Sequence, residues 1–302
     1  MPSYRTLSAP TLSKPGSQSR LFSISTFRNI IFAEGCSLLR KGSRARFAGL
    51  TPANLGGQSL EHEDFDMPVQ NMTKARNMVK QIPLTRIQRL IGKRMSESKR
   101  SKPCFSIECR ADVTDLMGLR GRLSKSAGVK ITSNAFFIYA LAQAVKRYPL
   151  MVGALDAGDK IRIADAVNVG FAVSAPQGLV VPVIKNADKK TLTEVALAEK
   201  LLTERARSNK LTLEQMEGET IALSNLGAYG IDSFVGIVPP PASVILAVGN
   251  VVRTVVAMNG KPTVRKMTSL TLSVDHRVIS GRYAAEFLKS IVEQLQAPLQ
   301  LV

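Results

Sequence analysis

His276 is the only histidine beyond residue 80, and it stands in the segment SVDHRVISG. An imidazole is the one side chain that exchanges a proton near neutral pH without special tuning. Held at the rim of a cleft, it serves as a general base. Ser224 lies 52 positions earlier and opens the segment SNLG. Both residues have a plain structural reading. A histidine at a strand-to-helix junction more often serves structure than chemistry, and a strand-end hydroxyl often bonds nearby backbone. The other histidine, His62, sits in the acidic run EHEDFD and reads as a solvated loop residue.

These two residues need a frame. SLTLSVD alternates Leu270, Leu272 and Val274 on one face, which predicts a strand ending just before His276. In RYAAEFLKSIVEQL, the residues Ala284, Phe287, Leu288, Ile291, Val292 and Leu295 form one stripe, which predicts a helix packed on a sheet. Ser280 can cap that helix. ETIALSNL reads as the strand that delivers Ser224 into a Gly-rich loop, where Gly227 and Gly230 offer positive φ. Upstream, Leu84, Ile87, Leu90, Ile91 and Met95 recur at helical spacing among Arg86, Arg89, Lys93 and Arg94, and Pro103 ends that helix. CFSIECRAD reads as a strand. VTDLMGLRGRL reads as a helix opened by Asp112 or Thr114, and NAFFIYALAQAVKRY as a helix capped by Thr132 or Ser133 and stopped by Pro149. LDAGDKIRI reads as a hairpin. VNVGFAVSA, GLVVPVI and ASVILAVGNVVRTVVA read as β-branched strand runs, and residues 191–216 return to helical spacing. Helices and strands mix without strict alternation, so the expected class is α/β, an α+β sandwich of a mixed sheet flanked by helices.

The bulk numbers bound the partners. The formal charge is +18, which speeds encounters with anionic partners. Nucleic acid finds no support: the chain has no Trp, five Tyr and no zinc-finger spacing. No apolar run reaches the roughly 18 residues that span a membrane. Cys36, Cys104 and Cys109 form neither a disulfide framework nor a metal site and read as structural thiols of a reducing compartment. No metal is expected. The first 60 residues are rich in Ser, Arg, Pro and Gly and contain one acid, Glu34, the composition of an organelle transit peptide or a disordered extension. On the transit reading the expected location is the mitochondrial matrix if the protein is eukaryotic, and otherwise the cytoplasm. Residues 61–79 read as a linker, and 80–302 as the folded domain.

Four segments of that domain, PLTRIQRLIGKRMSESK, VNVGFAVSAPQGLVVPVIKNAD, IALSNLGAYGIDSFVGIVPPPASVILAVG and LTLSVDHRVISGRYAAEFL, resemble in order the catalytic core of the dihydrolipoamide acyltransferases of 2-oxo acid dehydrogenase complexes. The resemblance implies a chloramphenicol acetyltransferase-like fold assembled as a homotrimer or larger cage. It implies acyl exchange between coenzyme A, a substrate, and a dihydrolipoyl thiol. His276 matches the general base and Ser224 the oxyanion donor, with Arg277, Ser280 and Gly281 in supporting places. Related trimers put the site at the subunit interface, so His276 is expected to meet Ser224 either within one subunit or across two. Arg86 and Arg89 are candidates to meet coenzyme A phosphates, with a solvated cationic face as the alternative. Two features depart from the family. Ser280 stands where an Asp is usual. Residues 1–79 show no lipoyl domain, so the lipoyl group is expected from another chain, alongside 2-oxo acid dehydrogenase subunits as partners. Acylation of a small-molecule acceptor, or a silenced structural core, are the competing functions.

Overall fold

The computed structural model describes residues 81–156 and 159–301. The transit-like extension, the linker, His62, Cys36 and the tip of the LDAGDKIRI hairpin lie outside the described residues.

The first helix, α1 (Arg86–Ser101), opens with a capping box. Thr85 Oγ1 accepts from the Gln88 amide at 3.2 Å, and the Gln88 side chain accepts from the Thr85 amide at 2.9 Å. Its apolar stripe does not enter the core. Leu84 and Leu90 are more than half exposed, and Ser98, bonded to the Val238 carbonyl, is its one buried residue. The strand β1 (Cys104–Asp112) follows, then α2 (Thr114–Ser126), where Asp112 Oδ1 accepts from both the amide and the hydroxyl of Thr114. Helix α3 (Ser133–Val145) is capped by Thr132, whose hydroxyl accepts from the Ala135 amide at 2.9 Å. Phe136, Phe137, Ile138 and Leu141 make α3 apolar all round, so it is the buried helix at the centre of the core. Each such side chain contributes about 1.5–3 kcal/mol on burial.

The β-rich middle is more broken than the apolar runs suggest. LDAGDKIRI gives the hairpin β2 (Gly153–Asp156) and β3 (Lys160–Ile163). VNVGFAVSA divides at Ala172 into β4 (Val169–Phe171), which joins the main sheet, and β5 (Val173–Ala175), which turns back on β6 (Gly178–Val180) as a separate ribbon. GLVVPVI divides at Pro182 into β6 and β7 (Val183–Ile184), because proline has no N–H for a ladder. Helix α4 (Leu192–Arg207) opens with a second capping box, Thr191 with Glu194. β8 (Ile221–Asn225) carries Ser224. ASVILAVGNVVRTVVA divides into β9 (Val244–Val248) and β10 (Val252–Met258) at Gly249, where a Cβ would sit 1.8 Å from the Asp232 carbonyl oxygen.

Last come β11 (Lys261–Asp275) and α5 (Gly281–Gln296). The main sheet runs β1-β11-β9-β8-β4-β7, with β10 also paired to β11. β8 is parallel to β4 and β9, and the other pairs are antiparallel, so the sheet is mixed as expected. All six stripe residues of α5 are buried. The alternation in SLTLSVD does not mean one wet face. Thr271, Ser273 and Asp275 are as buried as Leu270, Leu272 and Val274. Their polar atoms are satisfied locally: Ser273 shares a hydrogen bond with Ser106 at 2.8 Å, and Thr271 donates to Glu108 at 3.3 Å. Among the described residues no helix is long and apolar enough to cross a membrane.

Candidate active site

The junction between β11 and α5 is built around a residue that the sequence did not single out. Asp275 is 1% exposed, and its carboxylate takes three bonds from Arg277: the amide at 3.1 Å, Nε at 3.0 Å and Nη2 at 2.7 Å. Its own amide donates to Ser243, and its carbonyl accepts from the Val278 and Ile279 amides. Val278 and Ile279 are buried, so the turn is pinned at both ends. Between those anchors His276 is exposed, with its amide donating to the Pro103 carbonyl at 3.1 Å. The imidazole leans on the Phe105 ring at a centroid distance of 4.5 Å and a tilt of 45°. The backbone is fixed while the ring stays open to a partner.

Burial works against the charged carboxyl of Asp275, but the hydrogen bonds and charge of Arg277, with Lys102 beyond, outweigh it and hold the group below the ordinary carboxylate range. Lys102 gives its ammonium to the Ala242 carbonyl, and burial pushes its pKa down. Cys104 pairs with Asp275 across the strands, and burial, reinforced by that carboxylate, pushes its thiol up. Cys104 and Cys109 occupy alternate-face positions on β1 and both are exposed.

Removing Asp275 strands its cations. Asp275→Ala is expected to lower the folding free energy by about 2–3 kcal/mol, below the usual cost of breaking a buried pair because Arg277 is partly solvated. Urea unfolding at neutral pH measures it. The folded carboxyl titrates below its unfolded value of about 3.9, so its contribution is present above that pH. It is lost as the pH falls toward the folded value. The wild-type advantage over the alanine variant therefore shrinks in acid.

Ser280 sits at the N-cap of α5 and accepts from the Tyr283 amide at 3.4 Å, the capping role open to it from its type. Arg277 does not look to position 280 for its counter-charge, because Asp275 supplies it. Gly281 is the first residue of α5, and a Cβ there would meet nothing closer than Phe105 at 4.0 Å.

Ser224 lies elsewhere. It lines a cavity of about 900 Å³ whose wall includes Phe137, Phe171, Leu179, Asn134, Glu199 and Arg207. Gly227, on the same wall, is demanded by space rather than by φ: a Cβ would stand 2.6 Å from the Gly249 carbonyl oxygen. Gly230 does take positive φ, at 75°. His276 is not part of this wall. Ladder register explains why. Ser224 pairs with Ala247, which pairs with Thr271. His276 is five residues beyond Thr271 on a strand that runs opposite to β8. Strand geometry then puts the two about 17 Å apart along the sheet and about 10 Å across it. One chain does not bring them together. Arg86 and Arg89 are exposed on the first turns of α1, and neither lines the cavity.

Residues 76–302 match the family described as 2-oxoacid dehydrogenases acyltransferase (catalytic domain). The chain belongs to that family. It is 35% identical over 245 residues to the dihydrolipoyllysine-residue acetyltransferase component of the pyruvate dehydrogenase complex of Rickettsia bellii, covering 79% of this chain and 58% of the relative. It is 37% identical over 228 residues to the lipoamide acyltransferase component of the branched-chain alpha-keto acid dehydrogenase complex of Bacillus subtilis, covering 72% of this chain and 52% of the relative. The chain thus spans little more than half the length of these relatives. Among solved structures, the Azotobacter vinelandii dihydrolipoamide acetyltransferase superposes with a TM-score of 0.71 at 34% identity, covering 74% of this chain and 93% of that one. That work concerns the roles of a serine, a histidine and an asparagine in the catalytic mechanism; the serine precedes the histidine by 52 positions and the asparagine follows it by four. In this member of the family the same offsets fall on Ser224, His276 and Ser280.

Sequence reasoning passed over Asp275, Phe105, Asn134 and Glu199. Asp275 closes the alternating run SLTLSVD, whose spacing gives no sign that its polar phase is covered. Nothing in the spacing of Asn134 and Glu199, 65 positions apart on two helices, tied them to Ser224.

Proposed function

We propose that this chain transfers an acyl group between coenzyme A and a dihydrolipoyl thiol, in a homotrimer or larger cage where His276 of one subunit faces Ser224 of the next. The observation that carries this is the shared serine–histidine offset of 52 positions, together with a neutral hydrogen-bonding residue four positions after the histidine, in this chain and in the Azotobacter acetyltransferase. In that relative the last of the three is an asparagine, so a missing charge at Ser280 is compatible with the same chemistry.

The imidazole of His276 takes the proton from the attacking thiol. The thiolate sulfur bonds to the thioester carbonyl carbon, and the electron pair moves to oxygen. Ser224 Oγ–H donates to that oxyanion. Collapse re-forms the carbonyl and breaks the other carbon–sulfur bond, and the departing thiolate recovers the proton from the imidazolium. No net proton is consumed. Arg277, tied to Asp275, holds the turn that presents the imidazole. Arg86 and Arg89 offer guanidinium groups to the coenzyme A phosphates. The acyl group stays unspecified, since an acetyl-transferring and a branched-chain relative match the chain at similar identity.

The test is acyl transfer from acyl-coenzyme A to free dihydrolipoamide by the full chain. Ser224→Ala is expected to lower kcat about 10²–10³-fold with little change in KM, the cost of losing one oxyanion donor. Absence of transfer by wild type, or equal kcat in both proteins, overturns the proposal. Efficient transfer to small amines or alcohols but not to dihydrolipoamide points to the small-molecule acceptor class instead.

A further inference from the structure

Glu199 is a carboxylic acid that the chemistry above does not use, yet it is 8% exposed and lines the cavity beside Ser224. Burying an ionisable group costs several kcal/mol unless its oxygens are occupied. Both are. Oε2 accepts from the Thr132 hydroxyl at 2.6 Å and Oε1 from Asn134 Nδ2 at 3.1 Å. Thr132 is the N-cap of α3, a helix with no acidic residue in its own first turn. Glu199, reaching over from α4, brings a carboxyl to that positive end. Burial pushes its pKa up, and the two donors pull against that push.

The network does not stop at α3. Asn134 Oδ1 accepts from Asn225 Nδ2 at 3.3 Å, and Asn225 Oδ1 accepts from the Gly227 amide at 2.9 Å. Asn225 is the residue next to Ser224. Thus one chain of hydrogen bonds runs from α4 through the start of α3 to the turn that ends β8. β8 stops at Asn225, so Ser224 is its last but one residue. The next turn is a short 3-10 element, Gly227–Tyr229, tied to β9 by the Leu226 amide, which donates to the Val248 carbonyl at 3.1 Å. Between that bond and the end of β8, the side-chain network adds the hold on the Gly227 amide.

We infer that Glu199 is a positioning residue: through Asn134 and Asn225 it sets the turn that orients the Ser224 hydroxyl. This rests on the role proposed for Ser224, but its structural half can be tested without turnover. Glu199 makes no contact with the reacting atoms in this account. It accepts from Asn134 Nδ2, which leaves Asn134 Oδ1 directed at Asn225, and so fixes which way round the Asn134 amide lies. Without the carboxylate, that amide is free to reverse, and the Asn225 link is lost.

Two variants separate the role from simple packing. Glu199→Leu keeps bulk and removes both acceptors, whereas Glu199→Gln keeps one acceptor oxygen. Amide hydrogen exchange on the full chain reads the geometry directly. Gly227 is expected to exchange about tenfold faster in Glu199→Leu, with Glu199→Gln in between, while Leu246 in β9 keeps its protection. Unchanged Gly227 exchange, or a parallel rise at Leu246, overturns the inference. Should Glu199→Leu fail to fold, Glu199→Gln and Asn134→Ala carry the same comparison. The kinetic reading is a cycle with Ser224→Ala. Glu199→Gln is expected to lower kcat about three- to tenfold in the wild-type background with KM unchanged, and to have no further effect once Ser224 is alanine. An equal fall in both backgrounds shows that Glu199 acts elsewhere and sinks the inference. A wild-type protein without transfer activity sinks the acyl-transfer proposal instead, and the exchange experiment then decides on Glu199 alone.

Discussion

His276→Ala is expected to reduce kcat for acyl transfer by about 10²–10⁴-fold, the range set by loss of a positioned general base, while the protein stays folded. The structure supports the second half. The side chain is exposed, so its removal leaves no core cavity. The bond from residue 276 to the Pro103 carbonyl belongs to the backbone and survives the substitution. So do the bonds that the Asp275 carbonyl accepts from the Val278 and Ile279 amides. What is lost is the contact with the Phe105 ring, about 0.5–1.5 kcal/mol at most. His276→Gln is the sharper control, because it restores bulk and hydrogen bonding but takes no proton at neutral pH. The steady-state rate with acyl-coenzyme A and dihydrolipoamide, paired with a urea melt, decides the matter. If either variant keeps wild-type kcat, the imidazole is not the base. If kcat falls only because the melt shifts by several kcal/mol, the junction is structural, the alternative that a lone strand-end histidine always carries.

How this junction was legible, and where legibility failed, has a common physical cause. Patterns fixed by the local backbone were readable. The α5 stripe, the Ser280 cap, the Thr132 cap and the strand that ends before His276 depend on neighbours within one turn or one pleat, and all appear where the spacing puts them. The buried state of Thr271, Ser273 and Asp275 was not readable, because period-two alternation reports which face is apolar and not whether the other face is covered. The division of VNVGFAVSA between the main sheet and a side ribbon was hidden for a similar reason: propensity rewards β-branched residues anywhere in a strand and is silent on the partner. Pro182 and Gly249 were readable warnings for the two later runs, GLVVPVI and ASVILAVGNVVRTVVA, which divide there. The α1 stripe shows the converse. Its periodicity correctly gave a helix, but Leu84 and Leu90 are left uncovered within one chain. The link from Glu199 to the Ser224 turn joins residues from three separate elements and leaves no local trace at all. His276 was found by type and context and Ser224 by the family resemblance, yet only register shows that one sheet holds them apart.

That separation leads to the second large effect. A hydroxyl that donates to an oxyanion and an imidazole that deprotonates the attacking sulfur must both come within about 3 Å of their targets at one carbon. In a single chain they sit about 17 Å apart along the sheet and about 10 Å across it. Movement of that size would require taking apart the β8-β9-β11 ladder, whose residues are buried from Leu270 to Val274. The proposed chemistry then requires a closed ring of subunits, in which each head-to-tail interface would join the His276 end of one copy to the Ser224 cavity of the next. Ser224→Ala and His276→Ala homotrimers should then each be nearly inactive. Denatured together in equal amounts and refolded, they should regain about one quarter of wild-type kcat per site, since a random ring places an intact histidine beside an intact serine at one interface in about four. Mixing without refolding should restore nothing until subunits exchange, which separates complementation from residual activity. Recovery to the predicted fraction requires two chains per site. A refolded mixture that assembles normally but stays at the level of its parents means that the serine and histidine act within one subunit or not at all, and the shared-site mechanism is then wrong.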